Sequence, residues 1–206
     1  GNKKAPNCED EMKTAGLILA AGQSSRMKQQ KALLPWKEKT LIEWEIECFN
    51  SAGIKKIFVI VGSQYSNIAE KIKDSGVNVI INHDWKKGRS SSILCGIQAI
   101  LSENKKTPID NFLIQNVDQP ITEKILIDMM NFAHAQKNFE VIQPFFENKI
   151  RHPIILHIEQ ASKFLDIQDD NTSLRDIIKN LDVKTIEVNS PLLNINLNNM
   201  SDYRNA

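Results

Sequence analysis

The chain has 206 residues, 41% of them apolar and 25% charged, with a net charge of +1. That length and apolar content suit one globular domain with an ample core, and the near-neutral balance argues against a nucleic-acid partner. No apolar run reaches membrane-spanning length and no signal peptide opens the sequence, while Cys8, Cys48 and Cys95 are too scattered for a disulfide framework or a zinc site. The expected setting is therefore a reducing cytoplasm without a membrane partner. Residues 1–13 are polar and are expected to form a flexible segment, leaving 14–206 as a single domain.

In chain order, AGLILA (15–20) reads as a strand, followed by a small-residue turn, AAGQSS, and a cationic stretch ending in KALLPW. TLIEWEIECFNSAG (40–53) reads as a helix: Thr40 and Glu43 have capping-box spacing and Gly53 ends it. IFVIVG (57–62) is a strand, SNIAEKIKDSG (66–76) a helix running to Gly76, VNVIIN (77–82) a strand and SSSILCGIQAILS (90–102) a helix. NFLIQNVD (111–118), EVIQPF (140–145), PIILH (153–157) and KTIEV (184–188) complete the strands, with helices at 122–136 and 172–181. The strands are nearly continuously apolar, as strands covered on both faces are. Alternating strands and helices predict an α/β fold with a mostly parallel sheet and helices on both faces. Ligands of such sheets bind beyond the carboxyl ends of the strands, which directs attention to the segments after Leu19, Gly62 and Asn82 and to Asp118.

The first of these segments has the chemistry for polyphosphate. Gly22 lets backbone amides come close to a ligand, Ser24 and Ser25 add hydroxyl donors, Arg26 offers a planar fork and Lys31 a mobile point charge. It is neither a Walker A loop nor a dinucleotide glycine fingerprint, and on composition alone a solvated turn is an equal reading. Asp118, at the end of a strand, reads as a ligand for a hard cation or as the cap of the next helix.

LAAGQSSRMKQQKALLPW resembles the signature of the MobA-like nucleotidyltransferases, and within them it is most similar to the molybdenum cofactor cytidylyltransferases and related xanthine dehydrogenase accessory proteins. The resemblance continues in order through NHDWKKGRSSSILCGIQAI, VDQPI, RHPIIL and NLNNMSDY. It implies a three-layer α/β/α, Rossmann-like fold of the nucleotide-diphospho-sugar transferase type. It also implies a reaction in which a substrate phosphate attacks the α-phosphate of a nucleoside triphosphate and pyrophosphate leaves.

Carried over residue by residue, Leu19, Ala20, Ala21, Gly22, Ser24, Ser25, Arg26 and Lys31 would hold the nucleotide, with Gly88 and Ser92 against the nucleoside. Arg26, Lys31 and Asp118 would be catalytic, and Asp118 would hold Mg²⁺ with Asn196 or Asn198, which stand where the family carries aspartates. Arg151 and His152 would line the acceptor side; Arg151 replaces a glycine and would bind the acceptor's phosphate or narrow the pocket. Arg89 replaces a methionine and adds a cation near the site or points to solvent, and Ser90 or Ser91 is expected to cap the helix that follows. Val117 replaces a small residue before Asp118, and Trp85 packs or shelves the acceptor. LAAG rather than LAGG goes with CTP, which implies molybdopterin cofactor as acceptor and a molybdoenzyme as recipient. GTP or another acceptor such as a sugar phosphate, and a non-catalytic cofactor carrier, are the alternatives.

Overall fold

A computed structural model describes residues 12–22, 30–136, 138–166, 173–195, 197 and 204. Its elements in chain order are β1 (Thr14–Ala20), β2 (Pro35–Trp36), β3 (Lys39–Thr40), α1 (Leu41–Ser51), β4 (Lys56–Val61), α2 (Tyr65–Lys71), β5 (Asn78–Ile81) and α3 (Arg89–Lys106). They continue with β6 (Asn111–Asn116), α4 (Glu123–Ala135), β7 (Val141–Phe146), β8 (Lys149–Ile150), β9 (Ile154–His157), α5 (Ser162–Leu165), α6 (Leu174–Ile178) and β10 (Val183–Glu187). The main sheet runs β10-β7-β9-β6-β1-β4-β5, with β8 paired to β7. β5, β4, β1 and β6 are mutually parallel, β9 is antiparallel to both of its neighbours, and β7 and β10 are parallel to each other. The fold is the expected α/β/α with a mostly parallel sheet; β9 and the short β8 are its reversed members.

Period-two alternation along β1 builds the two apolar layers. Ala15, Leu17 and Leu19 join α3, Phe164 of α5 and Leu174 of α6 on one face, while Ile18 and Ala20 join α1 and α4 on the other. The Thr40–Glu43 capping box is present, with the Glu43 amide donating to Thr40 Oγ1 and the Thr40 amide to Glu43 Oε1. Two helices differ from expectation. α2 stops at Lys71 rather than running to Gly76, because the Ser75 amide and hydroxyl both donate to the Ile72 carbonyl and divert the chain into a turn. α3 extends to Lys106, and its cap is Gly88, with no side chain capping it. No helix among the described residues is long and apolar enough to cross a membrane.

One buried polar residue breaks the pattern. Glu45 in α1 is 0% exposed, and neither carboxylate oxygen has a hydrogen-bond partner. Burial, and secondarily the Asp118 carboxylate, push its pKa well up, so the fold prefers the protonated acid. A carboxyl raised in this way contributes stability below its unfolded pKa, and that contribution is lost as pH rises toward the folded value. Glu45→Met fills similar space without an orphaned carboxyl and is expected to raise the melting temperature at neutral pH by ~5 °C. The gap should widen from about pH 5 to about pH 8 in thermal scans; a lowered or pH-independent difference would contradict this.

Candidate active site

β1 and β6 leave the sheet at the same height. Leu19 pairs with Asn116, and the Val117 amide donates to the Leu19 carbonyl at 3.1 Å. Ala20, Ala21 and Gly22 therefore emerge beside Val117 and Asp118. A cavity of about 330 Å³ opens at this edge, within the range of small-molecule sites. Leu19, Ala20, Ala21, Gly22, Lys31, Gly88, Ser92 and Asp118 all line it. Ser24, Ser25 and Arg26 lie outside the described residues, as do Asn196, Asn198 and Asp202.

Lys31 opens a 3-10 turn, Lys31–Leu33, and its Nζ stands 3.1 Å from Asp118 Oδ2, the two side chains being 20% and 21% exposed. Gln30, unnoticed in the sequence, fixes that turn: its Nε2 donates to the carbonyls of Ser63 at 2.7 Å and Gln64 at 3.0 Å. The turn carrying Asp118 is held from several sides. The Gln119 amide donates to the Asn116 carbonyl at 3.1 Å, Asn116 Nδ2 to Gln119 Oε1 at 2.9 Å, and Gln115 Nε2 to the Gln119 carbonyl. From α1, Trp44 Nε1 donates to the Ile121 carbonyl at 2.7 Å, and Val117 is packed into the core behind. The amide of fully buried Leu197 donates to the Asp118 carbonyl at 2.9 Å, which ties the C-terminal segment to this turn.

The donor chemistry fits a hard cation. Asp118 presents a carboxylate to the cavity, and among the described residues no cluster of three or more His, Cys, Asp or Glu competes for a metal. Mg²⁺ usually takes one or two protein oxygens and fills the rest of its shell with water and phosphate oxygens.

The far wall is pinned by a residue that sequence reasoning marked only as a strand end. Asn82 is buried; its Nδ2 donates to Ser91 Oγ and Ser92 Oγ, each at 2.9 Å, and its Oδ1 accepts from the Asp84 amide at 3.0 Å. Ser91 Oγ donates back to the Gly88 carbonyl at 2.6 Å, so neither Ser90 nor Ser91 is the helix cap, a correction to the sequence reading. Gly88 takes φ +98°, a conformation L side chains resist. Trp85 lines the nucleotide-sized cavity rather than its neighbour. It packs onto Gly62, where a Cβ would stand 2.6 Å from Trp85 Cβ and 2.7 Å from the Ala21 carbonyl oxygen.

Arg89, the first residue of α3, lines this cavity and a second, larger one that holds Arg151 and His152. It is exposed and adds a cation where the two cavities meet. Arg151 Nη2 donates to Asn194 Oδ1 at 2.6 Å, and His152 precedes Pro153 through a cis peptide bond. Burial, with Arg89 and Arg175 adding repulsion, lowers the His152 pKa to about 4, so the imidazole is neutral at physiological pH.

Two outcomes are expected. Asn82→Ala removes three hydrogen bonds of a buried side chain at a cost of ~2 kcal/mol, lowering the melting temperature by ~6 °C; an unchanged melting temperature would remove Asn82 from its anchoring role. His152 is the second case: its unfolded form takes a proton near 6.5 and its folded form near 4. Its contribution is therefore present above about pH 6.5 and lost as pH falls toward about 4. Melting temperatures of the wild type should fall more steeply across that window than those of His152→Gln, and parallel curves would contradict the assignment.

A family model of the MobA-like NTP transferase domain matches residues 16–185. A probable molybdenum cofactor guanylyltransferase from Bacillus mycoides is 25% identical over 201 residues, covering 94% of this chain and 96% of that protein. The molybdenum cofactor cytidylyltransferase of Escherichia coli is 24% identical over 193 residues, 92% of this chain and 93% of the relative. Nicotine blue oxidoreductase of Paenarthrobacter nicotinovorans is 31% identical over 106 residues, 51% of this chain and 49% of that one, so the chain spans about half the length of this relative. In structure, Rv0371c of Mycobacterium tuberculosis superposes with a TM-score of 0.81 at 17% identity, covering 94% of this chain and 96% of that one. A manganese complex of Rv0371c gives a TM-score of 0.75 at 16% identity, with 94% and 97% covered. With the family match spanning most of its length, this chain belongs to the MobA-like NTP transferase domain family.

Proposed function

We propose that the chain transfers CMP from CTP to the phosphate of the molybdenum–molybdopterin cofactor, forming its cytosine dinucleotide and releasing pyrophosphate. The observation that carries this reading is the Lys31–Asp118 pair, 3.1 Å apart, in a cavity lined by Leu19, Ala20, Ala21 and Gly22 and by Gly88, Arg89 and Ser92. The guanylyl and cytidylyl activities ascribed to the two full-length relatives support the reaction class.

In this reading Leu19 and Ala20 present backbone groups to the base edge, the triphosphate lies along Gly22 with Ser24, Ser25 and Arg26 completing the loop, and the nucleoside rests against Gly88 and Ser92. The Ala21 methyl narrows the space beside the base and favours a pyrimidine. An acceptor phosphate oxygen forms a bond to the α-phosphorus; the bond from that phosphorus to the β-bridging oxygen breaks, and pyrophosphate leaves with the electron pair. Little covalent chemistry falls to the protein, so alignment and charge dominate. Lys31 and Arg26 offset charge on the leaving pyrophosphate, and Arg151 and His152 border the acceptor. Asp118, with Asn196 or Asn198, would hold Mg²⁺, which neutralises phosphate charge when bound; the manganese complex of Rv0371c and the tether from Leu197 to Asp118 support that assignment. A recipient molybdoenzyme would take up the product.

Pyrophosphate release with purified molybdenum cofactor, Mg²⁺, and CTP or GTP in parallel tests the reading. Release is expected with CTP alone, abolished by Asp118→Ala and lowered about 10²–10³-fold by Lys31→Ala or Arg26→Ala. Release with GTP instead would overturn the base assignment, and wild-type rates in all three variants would overturn the site.

A further inference from the structure

The larger cavity, about 930 Å³, adjoins the nucleotide-sized one and shares Arg89 with it. Arg89, Lys149, Arg151, Arg175 and Lys179 line it, with neutral His152 among them, and its described lining contains no Asp or Glu. These cations converge from separate places: the start of α3, β8, the β8–β9 link and α6 with the residue after it.

Two nearby acids among the described residues are committed elsewhere. Asp176 is held by the Ser173 amide and hydroxyl in the capping box of α6. Glu147 Oε2 accepts from Asn194 Nδ2 at 2.9 Å, so the Arg151 guanidinium meets the neutral Asn194 amide rather than a carboxylate. Arg151 Nε and His152 Nδ1 are buried without hydrogen-bond partners. Five like charges around one cavity repel each other, and an anion relieves that repulsion.

The charges are also spread along the cavity. Arg89 stands at the end shared with the nucleotide-sized cavity, which also holds Asp118. Lys149, Arg175 and Lys179 line the larger cavity and not the nucleotide-sized one. His152 lines the same cavity as Arg89 and Arg175, and both repel a proton from it. Resting on the reading that this cavity takes the acceptor, we infer that the acceptor is a polyanion whose reacting phosphate sits at Arg89 and whose second anionic group is gripped by Arg175 and Lys179. A phosphate ester with a neutral body would leave the distal cations uncompensated. An anionic metal dithiolene or a carboxylate would satisfy them.

Equilibrium binding without nucleotide tests this on the full chain, with three probes: purified molybdenum cofactor, 3-phosphoglycerate (phosphate plus carboxylate) and glycerol 3-phosphate (phosphate on a neutral body). The first two are expected to bind at least about tenfold more tightly than the third. The double variant Arg175→Ala/Lys179→Ala should bring 3-phosphoglycerate to the level of glycerol 3-phosphate, while Arg175→Lys keeps most of the difference. Both side chains are exposed, and an unchanged melting shift with CTP and Mg²⁺ would show each variant folded. Discrimination for 3-phosphoglycerate without binding of molybdenum cofactor would uphold the polyanion site and remove the proposed acceptor. Equal affinity for the two small probes in the wild type, no binding of any probe, or unchanged discrimination in the double variant would overturn the inference.

Discussion

The site depends on the register between β1 and its two neighbours. Leu19 lies opposite Ile60 of β4 and Asn116 of β6, so three parallel strands end at one edge. A one-residue slip would exchange the faces of β1, sending Leu17 and Leu19 to the layer that now holds Ile18 and Ala20. Two apolar layers therefore specify the height at which the opening loop meets Asp118. The reversed β9 lies between β6 and β7, so the chain that follows β8 turns back past the same edge and carries Arg151 and His152 into the larger cavity.

On that frame the Lys31–Asp118 pair is easy to open. Both side chains are about one-fifth exposed, and ion pairs of this kind contribute ~1 kcal/mol or less. Under the proposed function a triphosphate and its cation would replace each partner's charge with a stronger one, so exchanging the pair for ligand would cost little. What must not move is the backbone beneath it. The bonds from Val117 to Leu19, Gln119 to Asn116 and Leu197 to Asp118 supply that rigidity, and they are main-chain bonds that no motif displays. Asn82 does the same for the opposite wall through Ser91 and Ser92.

Much of this was legible in the sequence because the signals were local. Unbroken apolar runs marked the strands, Thr40 and Glu43 marked the start of α1, and LAAG with Lys31 marked one wall of the cavity. The rest depended on contacts distant in sequence. Arg175 and Lys179 lie in the stretch read only as a helix, and nothing within TSLRDIIKNL says that they border a cavity lined by Arg89. Glu45 sits among charged and apolar neighbours in an amphipathic pattern, and only the packed fold reveals that it is sealed in the core. The three serines at 90–92 looked like a cap, but Asn82 and the Gly88 carbonyl take up Ser91 instead. Ser24, Ser25, Arg26, Asn196 and Asn198 are read from sequence alone.

The most direct test of the central claim is a crystal structure of the chain with Mg²⁺ and a non-hydrolysable CTP analogue. The triphosphate is expected between Gly22 and Lys31, the metal within ligating distance of Asp118, and the base beside Ala21. Nucleotide density in the cavity at the opposite edge of the sheet, lined by Lys13, Lys55 and His134, would contradict it.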